Sequence, residues 1–160
     1  SLLEADKRHP RYAVTLAYAR EEEPPFHLPP NLYVIGTMNT ADRSLALVDY
    51  ALRRRFAFFE LPAAFGTARF EEELTKRGVE PKLRHRIAAD MRALNARIVD
   101  DPELGRGFVV GHSYFCGPES GADEAWYRRI LDFEILPLLE EYWHDAPDTL
   151  RAVRDGLVGG

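Results

Sequence analysis

The sequence predicts an α/β unit joined to an all-helical one, and three observations carry that expectation. The unbroken apolar run Leu32-Tyr33-Val34-Ile35-Gly36-Thr37-Met38 has the character of a strand buried on both faces, in the middle of a sheet. Beyond Pro62 no strand signal of comparable strength recurs. Instead Leu83, Ile87, Met91, Leu94 and Ile98 fall at helical spacing and make one continuous apolar stripe. The expected division is 1–62 for the α/β part and 63–160 for the helical part.

The chain opens on Ser1 without Met, and Leu2, Leu3, Glu4 and Asp6 read as the middle of a helix, which suggests a piece of a larger protein. Residues 11–19 alternate well enough for a strand, interrupted by Glu21-Glu22-Glu23-Pro24-Pro25 before Phe26-His27-Leu28, so a hairpin or an extended return is expected. After the central strand, Leu45, Val48 and Leu52 give a short helix over 44–54 with one apolar face. Phe56 to Leu61 reads as a second strand, ended by Pro62.

In the helical part, Phe70 to Arg77 is closed by Gly78, and Pro81 to Val99 carries the long stripe. Gly105 to Cys116 is a glycine-punctuated loop with a small extended element. Helix resumes over 123–134, Pro137 should break or restart it with a second segment from Pro137 to His144, and a last segment runs from Pro147 to Asp155.

Composition narrows the class. The chain has 160 residues, 46% hydrophobic, enough for one ordinary domain or two small subdomains. No apolar run approaches the roughly 20 residues that span a bilayer, and no signal-like segment starts the chain, so no membrane association and a cytoplasmic setting are expected. A net charge of −5 argues against whole-surface attraction to nucleic acid. The single cysteine, Cys116, cannot form an internal disulfide, and no Cys/His spacing suggests zinc.

Two polar clusters carry possible chemistry. Asn39 and Thr40 follow the central strand, at the sheet edge where ligands of open α/β sheets sit. An asparagine amide donates and accepts, so it can hold a water between a terminal phosphate and a base. A turn accounts for the same residues, with Asp42 or Ser44 capping the next helix. Arg53, Arg54 and Arg55 lie at a helix end, where they would complement its dipole. The strand that begins at Phe56 holds them on rigid structure, which suits charge neutralisation on a phosphoryl group.

No phosphate-binding glycine loop accompanies these clusters. Such a loop needs Gly-Lys-Ser/Thr, and Lys7, Lys76 and Lys82 follow Asp6, Thr75 and Pro81.

The run NLYVIGTMNTADRSLALVDYALRRRF closely resembles the AAA+ domain of the McrB family, the motor subunits of modification-dependent (type IV) restriction systems. The resemblance extends back through LLEADKR and forward through GFVVGHSYF and EILPLLEEYW, nearly the whole chain. It implies the C-terminal part of an AAA+ P-loop NTPase α/β subdomain followed by a helical lid. Sensor-1 function would fall on Asn39, with Thr40, Asp42 and Arg43 beside the nucleotide and subunit interface. The arginine finger would fall on Arg54, with Arg55 close behind. His112 and Ser113 would sit where a sensor-2-like contact comes, although a lone loop histidine is more often structural.

The resemblance further implies GTP or ATP with Mg2+, held mainly by Walker motifs that in this family precede the LLE-DKR helix. This chain itself offers no metal ligand: Asp49 imitates Walker B, but Tyr50 follows it and the run fits a helix better. A homo-oligomeric, hexameric ring, a McrC-like nuclease partner and DNA contacted through other parts of the parent are implied as well. Two alternatives stay open: a dynein-like AAA+ remodelling ATPase without a nuclease, and a non-enzymatic helical interaction module.

Overall fold

A computed structural model describes residues 2–38, 55–117 and 122–159. The chain divides into two compact units, Ser1–Phe59 and Glu60–Gly160.

The second unit is helical, and its sequence explains each element. Helix α1, Ala68–Lys76, starts at Thr67, whose hydroxyl accepts from Phe70 N–H, and the turn after it passes through Gly78 at φ +78°. Helix α2, Pro81–Asp100, begins on proline, the residue that costs a helix least at its first position. All five residues of its predicted stripe are buried, Ile87, Met91 and Ile98 at 0% exposure. Helix α3, Glu124–Ile130, is capped by Asp123, whose carboxylate accepts from Trp126 N–H at 2.9 Å. Helix α4, Leu136–Tyr142, and helix α5, Pro147–Val158, complete the unit. Helix α2 packs on α1 and α5, and α4 also packs on α5.

The core between these helices is apolar and strongly aromatic. Phe65, Phe70 and Phe115 meet edge to face at 5.3–6.5 Å between ring centroids, and Phe115 continues to Trp126 at 6.0 Å. Three polar side chains tie the helices to one another and to their connections. Asn95 on α2 donates to Val110 O at 2.9 Å and accepts from Val110 N–H at 2.7 Å, satisfying a backbone residue that is 1% exposed. Trp143 donates its indole N–H to Asp101 at 2.8 Å, and Tyr127 donates its hydroxyl to Asp90 at 2.7 Å.

Two expectations for this unit need adjusting. Pro137 restarts the helix rather than breaking it: the chain runs from α3 through a π-helical turn, Leu131–Ile135, and α4 begins with the proline in its first turn. Proline removes one N–H and crowds the carbonyl four residues back, and the wider π turn immediately before it relieves that crowding. The 105–116 loop has no extended element; it forms two 3-10 turns, Arg106–Phe108 and His112–Phe115.

The first unit departs further from expectation. Among the described residues there is no strand, only an isolated antiparallel bridge between Val14 and Phe26, with reciprocal hydrogen bonds of 2.9 Å. That bridge is all that forms of the 11–28 hairpin. The expected opening helix is a 3-10 turn, Ala5–Lys7, followed by another, Pro10–Tyr12. Leu32 to Met38 is not buried on both faces: Tyr33 is 85% and Ile35 93% exposed. Phe56 to Leu61 is likewise not a strand, with Phe59 at 87% and Leu61 at 91%. An extended segment cannot satisfy its own backbone, so it becomes a strand only beside a partner. None of the described residues offers one beyond the single bridge. The helix expected over 44–54 lies outside the described residues.

Candidate functional site

The candidate residues fall into three groups. Asn39, Thr40, Asp42, Arg43 and Arg54 lie outside the described residues. Arg55 belongs to the first unit, and His112 and Ser113 to the second.

Arg55 sits where the chain returns to the described structure. Its Nε donates to Glu4 Oε1 at 2.8 Å, and the two side chains are 16% and 27% exposed. The guanidinium holds the Glu4 carboxyl below the usual carboxylate range, because its hydrogen bond favours the charged form. Four residues after Glu4, Arg8 donates to Leu32 O and, at 3.1 Å, to Leu3 O. One short segment, Glu4 to Arg8, therefore holds both flanks of 39–54: Leu32 ahead of it and Arg55 behind it.

His112 has a structural task. Its Nδ1 accepts from Ala64 N–H at 3.1 Å, and its ring lies edge-on to Phe65 and Phe70 at 6.4 and 6.2 Å. Its own carbonyl accepts from Cys116 Sγ at 3.3 Å, and burial pushes the half-buried thiol up from its ordinary pKa. Ser113 is exposed and borders an open groove with Tyr114, Gly117, Trp126, Arg129, Ile130 and Glu134. Its described lining combines one cation, Arg129, and one carboxylate, Glu134, with the rings of Tyr114 and Trp126.

Glu4 and Arg8 were not singled out by sequence reasoning, and their contacts are what the structure adds. Both stand in the LLEADKR stretch, and their four-residue spacing hints at one shared turn. What they hold, 24 and 51 residues away, is visible only in the folded chain.

Among the described residues, no group of His, Cys, Asp or Glu could hold a metal ion. These residues do not by themselves fit a Mg2+ site, and no step is assigned to the ion. No helix among them is long and apolar enough to cross a membrane.

Residues 86–151 match the family of the McrB alpha-helical lid domain, so α2 to α5 and their connections include the lid of a McrB-type protein. The similarity is not confined to the lid. The chain is 46% identical to the type IV methyl-directed restriction enzyme EcoKMcrB subunit of Escherichia coli (strain K12), over 162 aligned residues that cover 99% of this chain. The chain is thus McrB-like along nearly its whole length. It spans 35% of the length of that relative.

Proposed function

We propose that these residues belong to a McrB-like AAA+ NTPase motor, with 1–62 as the C-terminal part of its α/β subdomain and 63–160 as its helical lid. The observation that carries this reading is the 46% identity running through both units, beyond the lid match at 86–151. The exposed apolar runs 32–38 and 56–61 fit it, because each has the composition of a strand that pairs with further strands.

In this reading Asn39 orients the water that attacks the terminal phosphate of GTP or ATP. A neighbouring subunit of a hexameric ring supplies an arginine, from Arg54 or Arg55, that neutralises charge developing on the transferred phosphoryl group. Thr40, Asp42 and Arg43 line the nucleotide and the subunit interface. His112 holds the entrance to the lid against Ala64, and Ser113 offers a hydroxyl beside it. Hydrolysis would drive DNA translocation with a McrC-like nuclease, the DNA being contacted by other parts of the protein.

The test is nucleotide hydrolysis by the full-length protein. Arg54→Ala is expected to lower turnover by about 10³-fold or more, and Asn39→Ala to lower it as well. Mixing the two inactive variants should restore part of the activity, because some interfaces then pair an intact asparagine with an intact arginine. Full turnover by Arg54→Ala in a normal ring would favour the interaction module. The 160-residue chain alone is expected to hydrolyse neither GTP nor ATP.

A further inference from the structure

We infer that His112 is a neutral pin: its Nδ1 holds the Ala64 N–H, and through Ala64 it fixes the turn that starts α1. It is thus a positioning residue for the entrance of the helical unit, and it does not touch the nucleotide. This role rests on the NTPase reading above for its effect on turnover, whereas the joint itself is tested without nucleotide.

Ala64 is a crossing of hydrogen bonds. Its N–H donates to His112 Nδ1 at 3.1 Å, and its carbonyl accepts from the Thr67 N–H at 3.0 Å and the Thr67 hydroxyl at 2.8 Å. Thr67 Oγ1 in turn accepts from the Phe70 N–H at 3.3 Å, which caps α1. An unbroken line of bonds therefore runs from the imidazole to the first turn of the helix, and bonds in such a line polarise one another. Gly66, at φ +79°, supplies the left-handed third position of the four-residue turn between them. The ring is wedged as well as bonded. Phe65 and Phe70, 7% and 3% exposed, meet it edge to face, and its own carbonyl accepts from Cys116 Sγ.

The protonation state follows from the partner. A backbone N–H can only donate, so the Nδ1 it meets is the unprotonated nitrogen and the ring proton sits on Nε2. An imidazolium carries hydrogen on both nitrogens and would set two donors against each other across 3.1 Å. His112 therefore holds the joint only when neutral. A cationic contact to a terminal phosphate, the sensor-2-like role, needs the opposite state. Turning the ring toward a phosphate would also leave the Ala64 N–H unpaired against the apolar core on which Ala64 packs. The two roles exclude each other, and the contacts in place are those of the pin.

Asparagine and glutamine separate the two ring nitrogens. Asparagine carries its amide oxygen on the same Cγ that bears Nδ1, whereas glutamine reaches one carbon further, toward the place of Nε2. Hydrogen exchange in the 160-residue chain reads the joint directly. The Ala64 amide should exchange about 10-fold faster or more in His112→Ala and His112→Gln, and within about 3-fold of the parent in His112→Asn. An amide as fast in His112→Asn as in His112→Ala overturns the pin, and so does one that none of the three variants accelerates. Nitrogen NMR of the parent chain covers variants that fail to fold: an unprotonated Nδ1 beside a protonated Nε2 is expected at His112, and a proton on Nδ1 overturns the inference.

Turnover supplies the functional reading. In the full-length protein, kcat for GTP hydrolysis should fall about 5-fold or more in His112→Gln with KM within about 3-fold, because positioning is lost and nucleotide binding is not. His112→Asn should recover kcat to within about 2-fold of the parent. Parental kcat in His112→Gln, or a kcat in His112→Asn no better than in His112→Ala, overturns the positioning role. A parent protein without NTP turnover removes the NTPase reading instead, and exchange and NMR then decide the joint by themselves.

Discussion

The two units use similar apolar content to opposite effect. From Phe65 to Leu157 the second unit closes a core in which Leu74, Ile87, Met91, Ile98, Phe115, Ile135 and Leu139 are wholly shielded. In the first unit none of the described residues is fully buried, and Tyr18, Tyr33, Ile35 and Phe59 each expose more than four-fifths of their surface. The difference lies in the backbone. A helix closes its own hydrogen bonds and needs only a neighbour for its apolar stripe, which α1 to α5 supply to one another. A strand depends on partners for its backbone as well as its side chains.

The strongest way to break the comparison is to open the shielded core. Met91→Ala should destabilise the second unit by about 2–5 kcal/mol, read as a shifted urea midpoint, because the methionine is 0% exposed in the middle of the α2 stripe. A change below about 0.5 kcal/mol would show that this core does not behave as a packed one.

Asn95→Ala comes next, at about 1–3 kcal/mol. It strips both hydrogen bonds from Val110, whose backbone is then buried unpaired. Faster amide exchange at Val110, out of proportion to the global loss, is the local signature to look for.

The third test uses acid. Trp143 first, and then the Glu103 N–H, hold the Asp101 carboxyl below its ordinary pKa. A depressed folded pKa contributes stability that is present above the unfolded value of about 3.9 and is lost as pH falls through the folded one. Asp101→Asn should therefore be less stable than the parent at neutral pH, with the gap closing below about pH 4. A gap that persists unchanged in acid would mean that the charge contributes nothing.

A smaller loss, about 1 kcal/mol, is expected from Thr67→Ala at the start of α1, seen as a lower Tm. The smallest effect sharpens the other side of the comparison. Ile35→Ser, at a side chain 93% exposed, should move the stability of the 160-residue chain by less than about 0.5 kcal/mol. A large loss there would show that the first unit buries this residue after all.

Helices were legible wherever the pattern was self-contained. The Leu83 to Ile98 stripe and the proline start at Pro81 led to α2 within a residue of its end, and Gly78 marked the left-handed turn ahead of it. Pro137 left open whether the helix would stop or restart, and the fold restarts it, with the proline in the first turn of α4 after a π turn whose Leu131 and Ile135 are buried. The candidate site was legible as a list of residue types but not as a geometry. In the sequence Arg55 stood only as the neighbour of Arg54, and its hydrogen bond to Glu4 is visible only in the fold.

By itself, then, the sequence determined the helical part, since period, caps and glycine positions act over a few residues and need no distant partner. It also determined the kinship that the MNTADR and RRRF segments carry. Only the tertiary structure decided which polar groups meet across the chain: Glu4 with Arg55, Arg8 with Leu32, Asn95 with Val110, Asp101 with Trp143 and His112 with Ala64. Those pairings depend on how folding returns distant backbone to the same place, and no local spacing encodes that distance.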